Sequence, residues 1–125
     1  MNAQKVIAGF FIILAMTLNF GFFYGDISDI TQHNAYELFA AIVVNLIATI
    51  LKLGDKTQLG SVLLATSLVA DLQLVLAALI WGISSYIIHS ETVAVHEIVS
   101  LSGGALVANI ISVILFMGDT LKSKR

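Results

Sequence analysis

Long apolar runs separated by short polar stretches repeat along this chain. Four runs, Val6 to Tyr24, Ala35 to Leu53, Leu59 to Ile88 and Ile98 to Met117, reach the roughly 20 residues that a helix needs to cross a hydrocarbon layer. In such a medium every backbone N–H and C=O must be satisfied within the segment, so each run is expected to be an α-helix. Proline, the usual cause of a broken or kinked helix, is absent throughout. Between the runs lie "GDISDITQHN", "GDKTQ" and "HSETVAVHE", polar connectors of which the second reads as a tight turn built on Gly54. The pattern predicts an all-α polytopic membrane protein with four transmembrane helices in a single domain covering residues 1–125. The first run is longer than the apolar part of a signal peptide and no small-x-small site follows it, so it is expected to be retained.

The polar residues inside the runs carry a second pattern. "VVNLIATILKLGD" at 43–55 returns as "VANIISVILFMGD" at 107–119, matching Asn45 to Asn109, Gly54 to Gly118 and Asp55 to Asp119. Shared Ile, Leu and Val are common in membrane helices, whereas Asn, Gly and Asp at identical spacing are not. The economical reading is two parallel-repeat helical hairpins, about 1–58 and 59–125, related by an axis along the membrane normal. A common Gly-Asp helix stop would explain the ends of the two phrases but not their asparagines. At helical spacing Ala41, Asn45, Ala48, Thr49 and Lys52 form one small or polar stripe, and Ser102, Ala105, Asn109 and Ser112 form its counterpart. An amide facing acyl chains is costly, so Asn45 and Asn109 must face protein or water, either as interhelical hydrogen-bonding groups or as lining of a polar route. Asn19, nearer one surface, reads as structural.

Asp71, inside "SLVADLQLVLAAL", is a carboxyl group in the interior of a run, and an intramembrane ionisable residue is a functional candidate by default. One continuous helix from 59 to 88 sets it near mid-membrane, whereas the repeat register aligns it with Ile7 near the mouth. Nothing between Gly60 and Gly82 breaks a helix, which favours the continuous one. Gly60, Ser67, Asp71, Ala78, Gly82 and Ser85 then share a face that packs against other helices.

Composition agrees with this picture: 58% of residues are hydrophobic, mean hydropathy is +0.98, and 11% are charged, against about 25% in soluble domains. A net charge of −2 without clustered Lys and Arg excludes a nucleic-acid partner. Without cysteine there is no disulfide and no thiol nucleophile. All six basic residues, Lys5, Lys52, Lys56, Lys122, Lys124 and Arg125, fall on the side shared by both termini. The positive-inside rule makes that side cytoplasmic, consistent with a bacterial inner (plasma) membrane. The opposite side gathers Asp26, Asp29, His33, Glu37, His89, Glu91, His96 and Glu97, acidic and histidine-bearing loops able to concentrate cations. Their spacing lacks a paired-histidine metal helix, so no metal site or cofactor is expected. No nucleophile has a recognisable base and orienter, which argues against an enzyme.

"LGDKTQL" at 53–59 resembles the signature of the calcium/manganese cation-proton antiporter family in Gly54, Asp55, Lys56 and Thr57. That resemblance would imply cation exchange through an acid ahead of the glycine. Here Lys52 and, in the second copy, Phe116 stand at that acid's position, and the family's halves are three inverted helices. Cation exchange is therefore not carried over.

The functional expectation is a small ion-handling subunit, a cation channel or transporter, acting as a homo-oligomer or within a larger membrane complex, with Asp71, Asn45 and Asn109 in its polar core. The alternative is a non-conducting accessory or assembly subunit whose polar stripes hold a partner's helices.

Overall fold

The computed structural model describes residues 3–24, 34–53, 57–88 and 94–123. Those residues form four helices and, among them, no strand: α1 (Ala3–Phe23), α2 (Ala35–Lys52), α3 (Gln58–Tyr86) and α4 (Val95–Ser123). All four are long and apolar enough to cross a membrane. The region from 58 to 86 is one unbroken helix of 29 residues, about 43 Å at 1.5 Å per residue. The continuous reading of the third run therefore holds.

Local chemistry sets the visible boundaries. Asn34 caps α2, its side-chain oxygen accepting from the Tyr36 N–H at 2.8 Å. Thr57 caps α3 by accepting from the Gly60 N–H at 3.0 Å. The turn expected at Gly54 lies outside the described residues. At the second Gly-Asp the structure departs from a helix stop: α4 continues through Gly118 and Asp119 to Ser123. Thr120 donates its hydroxyl to the Phe116 carbonyl at 2.9 Å, a bond of the kind made inside a helix. No proline or second glycine follows to force the chain out of helical geometry.

Each helix packs against its neighbour in chain order, and α4 returns to α1, closing a four-membered ring. The ring is filled in two tiers. Around the ends of α1 and α3 and the starts of α2 and α4, Phe22, Leu38, Leu74, Ile98 and Val99 interlock, with Ala41, Ala70, Ala77 and Ala105 letting the backbones approach. The Phe22 ring meets Trp81 at 5.8 Å between centroids. Toward the end carrying Lys5, a smaller group forms from Ile12, Ala48 and Val113 with Phe11, Met16 and Phe116. The outer surface is apolar as well: Phe10, Leu72 and Ile114 are 59%, 61% and 62% exposed. Contiguous apolar surface of that extent does not suit water.

Candidate intramembrane polar centre

The helical stripes read from the sequence do point inward. Ala41, Asn45, Ala48, Thr49 and Lys52 are all buried on α2, as are Ser102, Ala105, Asn109 and Ser112 on α4. Ser67 and Asp71, one turn apart on α3, are buried too. Together with Asn19 on α1, these residues form two separate polar groups, one on each of two helix pairs.

The first sits between α2 and α3. Thr49 Oγ1 lies 2.5 Å from Asp71 Oδ2 and 2.9 Å from the Asn45 carbonyl oxygen. The Asn45 amide donates to the Ala41 carbonyl at 2.7 Å, within its own helix, rather than across the bundle. Lys52 ends α2, and helical side chains lean toward the N-terminus of their helix. Its ammonium therefore points back into the bundle, where it donates to Ser67 Oγ. Lys52 and Asp71 are 7% and 8% exposed, so a cation and an acid are enclosed together and act on each other electrostatically. The second carboxyl oxygen, Asp71 Oδ1, is buried with no hydrogen-bond partner among the described residues.

A cavity of about 200 Å³ opens beside this group, lined by Gln4, Lys5, Leu51, Lys52, Leu63 and Asp119. At its rim Lys5 Nζ and Asp119 Oδ2 form a half-exposed ion pair at 2.9 Å. The Lys5 ammonium also stands 5.9 Å from the centre of the Phe116 ring. The buried acid is thus separated from the Lys5 end of the bundle by Lys52 and this cavity. On its other side lies the tier of Leu74, Ala70 and their neighbours.

The second group sits between α1 and α4. The Asn19 amide, oriented by its hydrogen bonds, accepts from the Leu106 N–H at 3.0 Å and from Asn109 Nδ2 at 3.1 Å. It donates to the Ser102 carbonyl at 3.2 Å. Asn109 is thereby tied to Asn19, while its sequence counterpart Asn45 lies on the opposite pair of helices beside Thr49 and Asp71. A third contact, Thr66 Oγ1 to Ser112 Oγ at 2.5 Å, joins α3 to α4.

Sequence reasoning placed Lys52 on the small or polar α2 stripe and counted it with the cytoplasmic basic residues but did not bring it to Asp71, because a lysine at a helix end ordinarily extends to water. The signal that could have found it is the alignment of the α2 stripe with Ser67 and Asp71 on α3. Of the loop acids and histidines, Asp26, Asp29, His33, His89 and Glu91 lie outside the described residues. His96 and Glu97 stand exposed in the first turn of α4. Glu37, in the first turn of α2, lays its carboxylate against Gly21 of α1, where a Cβ would collide with Oε2. Among the described residues no cluster of three or more His, Cys, Asp or Glu could hold a metal ion.

No curated protein and no solved structure matches the chain. One family model does, over residues 32–120, a span that begins just ahead of α2 and takes in α2, α3 and most of α4 with the Thr49, Lys52, Ser67 and Asp71 centre. Because that match covers well over half of its length, the chain belongs to the family of unknown function DUF6394.

Proposed function

We propose that the protein is an integral component of the bacterial inner membrane and that it handles ions through the Asp71 centre. The observation carrying this reading is a carboxyl group 8% exposed, with one oxygen unpartnered, beside a buried lysine that borders a cavity at the Lys5 end. Burying an acid and a cation together is seldom the most stable way to fill a core; apolar residues of the same volume commonly do as well or better. Retaining them inside an apolar bundle fits a task that needs charge at depth. With both termini cytoplasmic, as the basic residues indicate, the cavity opens toward the cytoplasm.

The closed ring of four helices supports action as a homo-oligomer or in a larger complex. The tier formed by Phe22, Leu74 and Ile98 fills the bundle beyond Asp71, so a complete route calls for a further surface or a rearrangement. Ring order also fits two hairpins related by an axis along the bundle, α1 and α2 corresponding to α3 and α4. In that correspondence Phe116, against Gly9, takes the place of Lys52, so one repeat interface carries the buried Lys52 and Asp71 while the other carries Asn19 and Asn109, with the Lys5–Asp119 ion pair at its rim.

A groove of about 290 Å³ between α3 and α4 favours the second reading, an accessory subunit. It is lined by Thr66, Val69, Gln73, Gly104 and Ala108, and Gln73 Oε1 is buried without a partner. Small residues beside an amide suit a partner helix. Ion flux into liposomes, measured for the wild type and Asp71→Asn, separates the two. Flux lost in the variant supports ion handling; absence of flux from the wild type, with recovery of a stoichiometric larger membrane protein on purification, supports the accessory role.

A further inference from the structure

We infer that the ion bound at Asp71 is a proton, exchanged with the Lys5-end cavity through Ser67 and Lys52, and that the centre is not a site for a metal cation. This inference rests on the ion-handling reading and narrows it.

The hydrogen count around Thr49 carries the first step. Its hydroxyl has one hydrogen and two oxygens in reach, the Asn45 carbonyl at 2.9 Å and Asp71 Oδ2 at 2.5 Å. A carbonyl can only accept. When Asp71 is a carboxylic acid, Oδ2–H donates to Thr49 Oγ1 and Thr49 donates to Asn45. When Asp71 is a carboxylate, Thr49 turns its hydrogen to Oδ2. One hydroxyl rotation thus keeps Oδ2 paired in both states, so gain and loss of a proton leave no unmatched oxygen there.

The surroundings of Oδ1 carry the second step. Ser67 and Asp71 are four residues apart on one face of α3, as helical neighbours are. Ser67 Oγ accepts from the Lys52 ammonium. Oδ1 has no hydrogen-bond partner among the described residues, so a turn of the Ser67 or Asp71 side chain first brings the two together. Lys52 then gives a proton to Ser67 Oγ while Ser67 gives its own hydroxyl hydrogen to Asp71 Oδ1, and a half-turn of the carboxyl group presents that proton to Thr49. The result is a neutral amine, an unchanged serine and a carboxylic acid. Water in the cavity then restores the proton to Lys52. Among the described residues, the charged groups at the centre's end of the surrounding helices are Lys52 on α2, Lys5 on α1 and Asp119 on α4, the last two paired with each other, whereas Glu37 on α2 and His96 and Glu97 on α4 stand in the first turns at the opposite end. A metal cation would need several oxygen ligands, yet Ser67 is already engaged by an ammonium whose charge opposes a second cation.

The test is infrared difference spectroscopy on the full-length protein in liposomes, paired with flux assays. A pH step on the Lys5 side is expected to interconvert a carboxylic-acid C=O band and a carboxylate band, both absent from Asp71→Asn. Lys52→Arg keeps the positive charge but does not release a proton. It should slow the interconversion by about a hundredfold, the scale of a lost positioned proton donor, with the bands still present. No Asp71-dependent band at any pH, or exchange as fast in Lys52→Arg as in the wild type, overturns the inference. Sodium or potassium flux lost in Asp71→Asn, without internal acidification, overturns the proton assignment while leaving ion handling intact. Reversible bands with no flux of any ion overturn ion handling and leave the proton site standing.

Discussion

Replacing Asn19 by alanine removes three interhelical hydrogen bonds, to Leu106, Asn109 and Ser102, at the contact between α1 and α4. Interhelical hydrogen bonds in membrane bundles contribute about 0.6 kcal/mol each on average, so the direct loss comes to about 2 kcal/mol. The backbone groups of Leu106 and Ser102 retain each other as helical partners, but Asn109 Nδ2 is left buried without an acceptor, which adds about 1 kcal/mol. Asn19→Ala should therefore destabilise the bundle by about 3 kcal/mol, and Asn109→Ala by less. In the double variant the orphaned amide is gone, so the two substitutions should couple by about 1 kcal/mol. Among the described residues the Asn45 side chain bonds within its own helix, to the Ala41 carbonyl, and Asn45→Ala should be additive with Asn109→Ala. Unfolding in mixed micelles can be followed through Trp81, the single tryptophan, whose ring rests on Phe22 of α1. Additivity of Asn19 and Asn109, or coupling of Asn45 with Asn109 instead, would refute this assignment of partners.

Further outcomes follow from individual contacts. Lys52→Met leaves the Asp71 carboxyl group without its nearby cation and should cost about 3 kcal/mol in the wild type but under about 1 kcal/mol in an Asp71→Asn background, as micelle unfolding would register. A Cβ at Gly103 falls 2.8 Å from the Phe23 ring, so Gly103→Ala should lose about 1 kcal/mol, whereas Gly82→Ala meets nothing within 4 Å and should gain up to about 1 kcal/mol from helix propensity. Lys5→Ala breaks a half-exposed ion pair; the same unfolding assay should show a loss below about 1 kcal/mol that shrinks as salt rises.

Much of the architecture was legible because hydrocarbon solubility and helical period leave few choices. Four apolar runs became four helices, and the α2 and α4 stripes both turned inward, since an amide or lysine facing outward would meet no partner. Helix ends were less legible: α4 extends three residues beyond the expected start and past Gly118, because a glycine permits a stop without compelling one. The pairing of side chains was not legible at all. Asn45 and Asn109 occupy matching places in a repeated phrase, yet one bonds along its own helix and the other across to Asn19. That difference comes from the facing helix, where Asp71 and Thr49 meet on one side and Asn19 on the other. Lys52 escaped attention for the same reason: its direction is set by Ser67, fifteen residues away in sequence.

The central claim is that the buried acid communicates with the Lys5 end of the bundle and with no other side. The chain contains no cysteine, so Ser67→Cys introduces a unique thiol beside Lys52 and Asp71. Its rate of modification by a small, charged, membrane-impermeant thiol reagent, applied in turn to each face of oriented vesicles, tests that claim directly. The account predicts reaction from the face bearing Lys5 and Asp119 and none from the face bearing His96 and Glu97. Equal rates from both faces, or reaction only with a lipid-soluble maleimide, would contradict it.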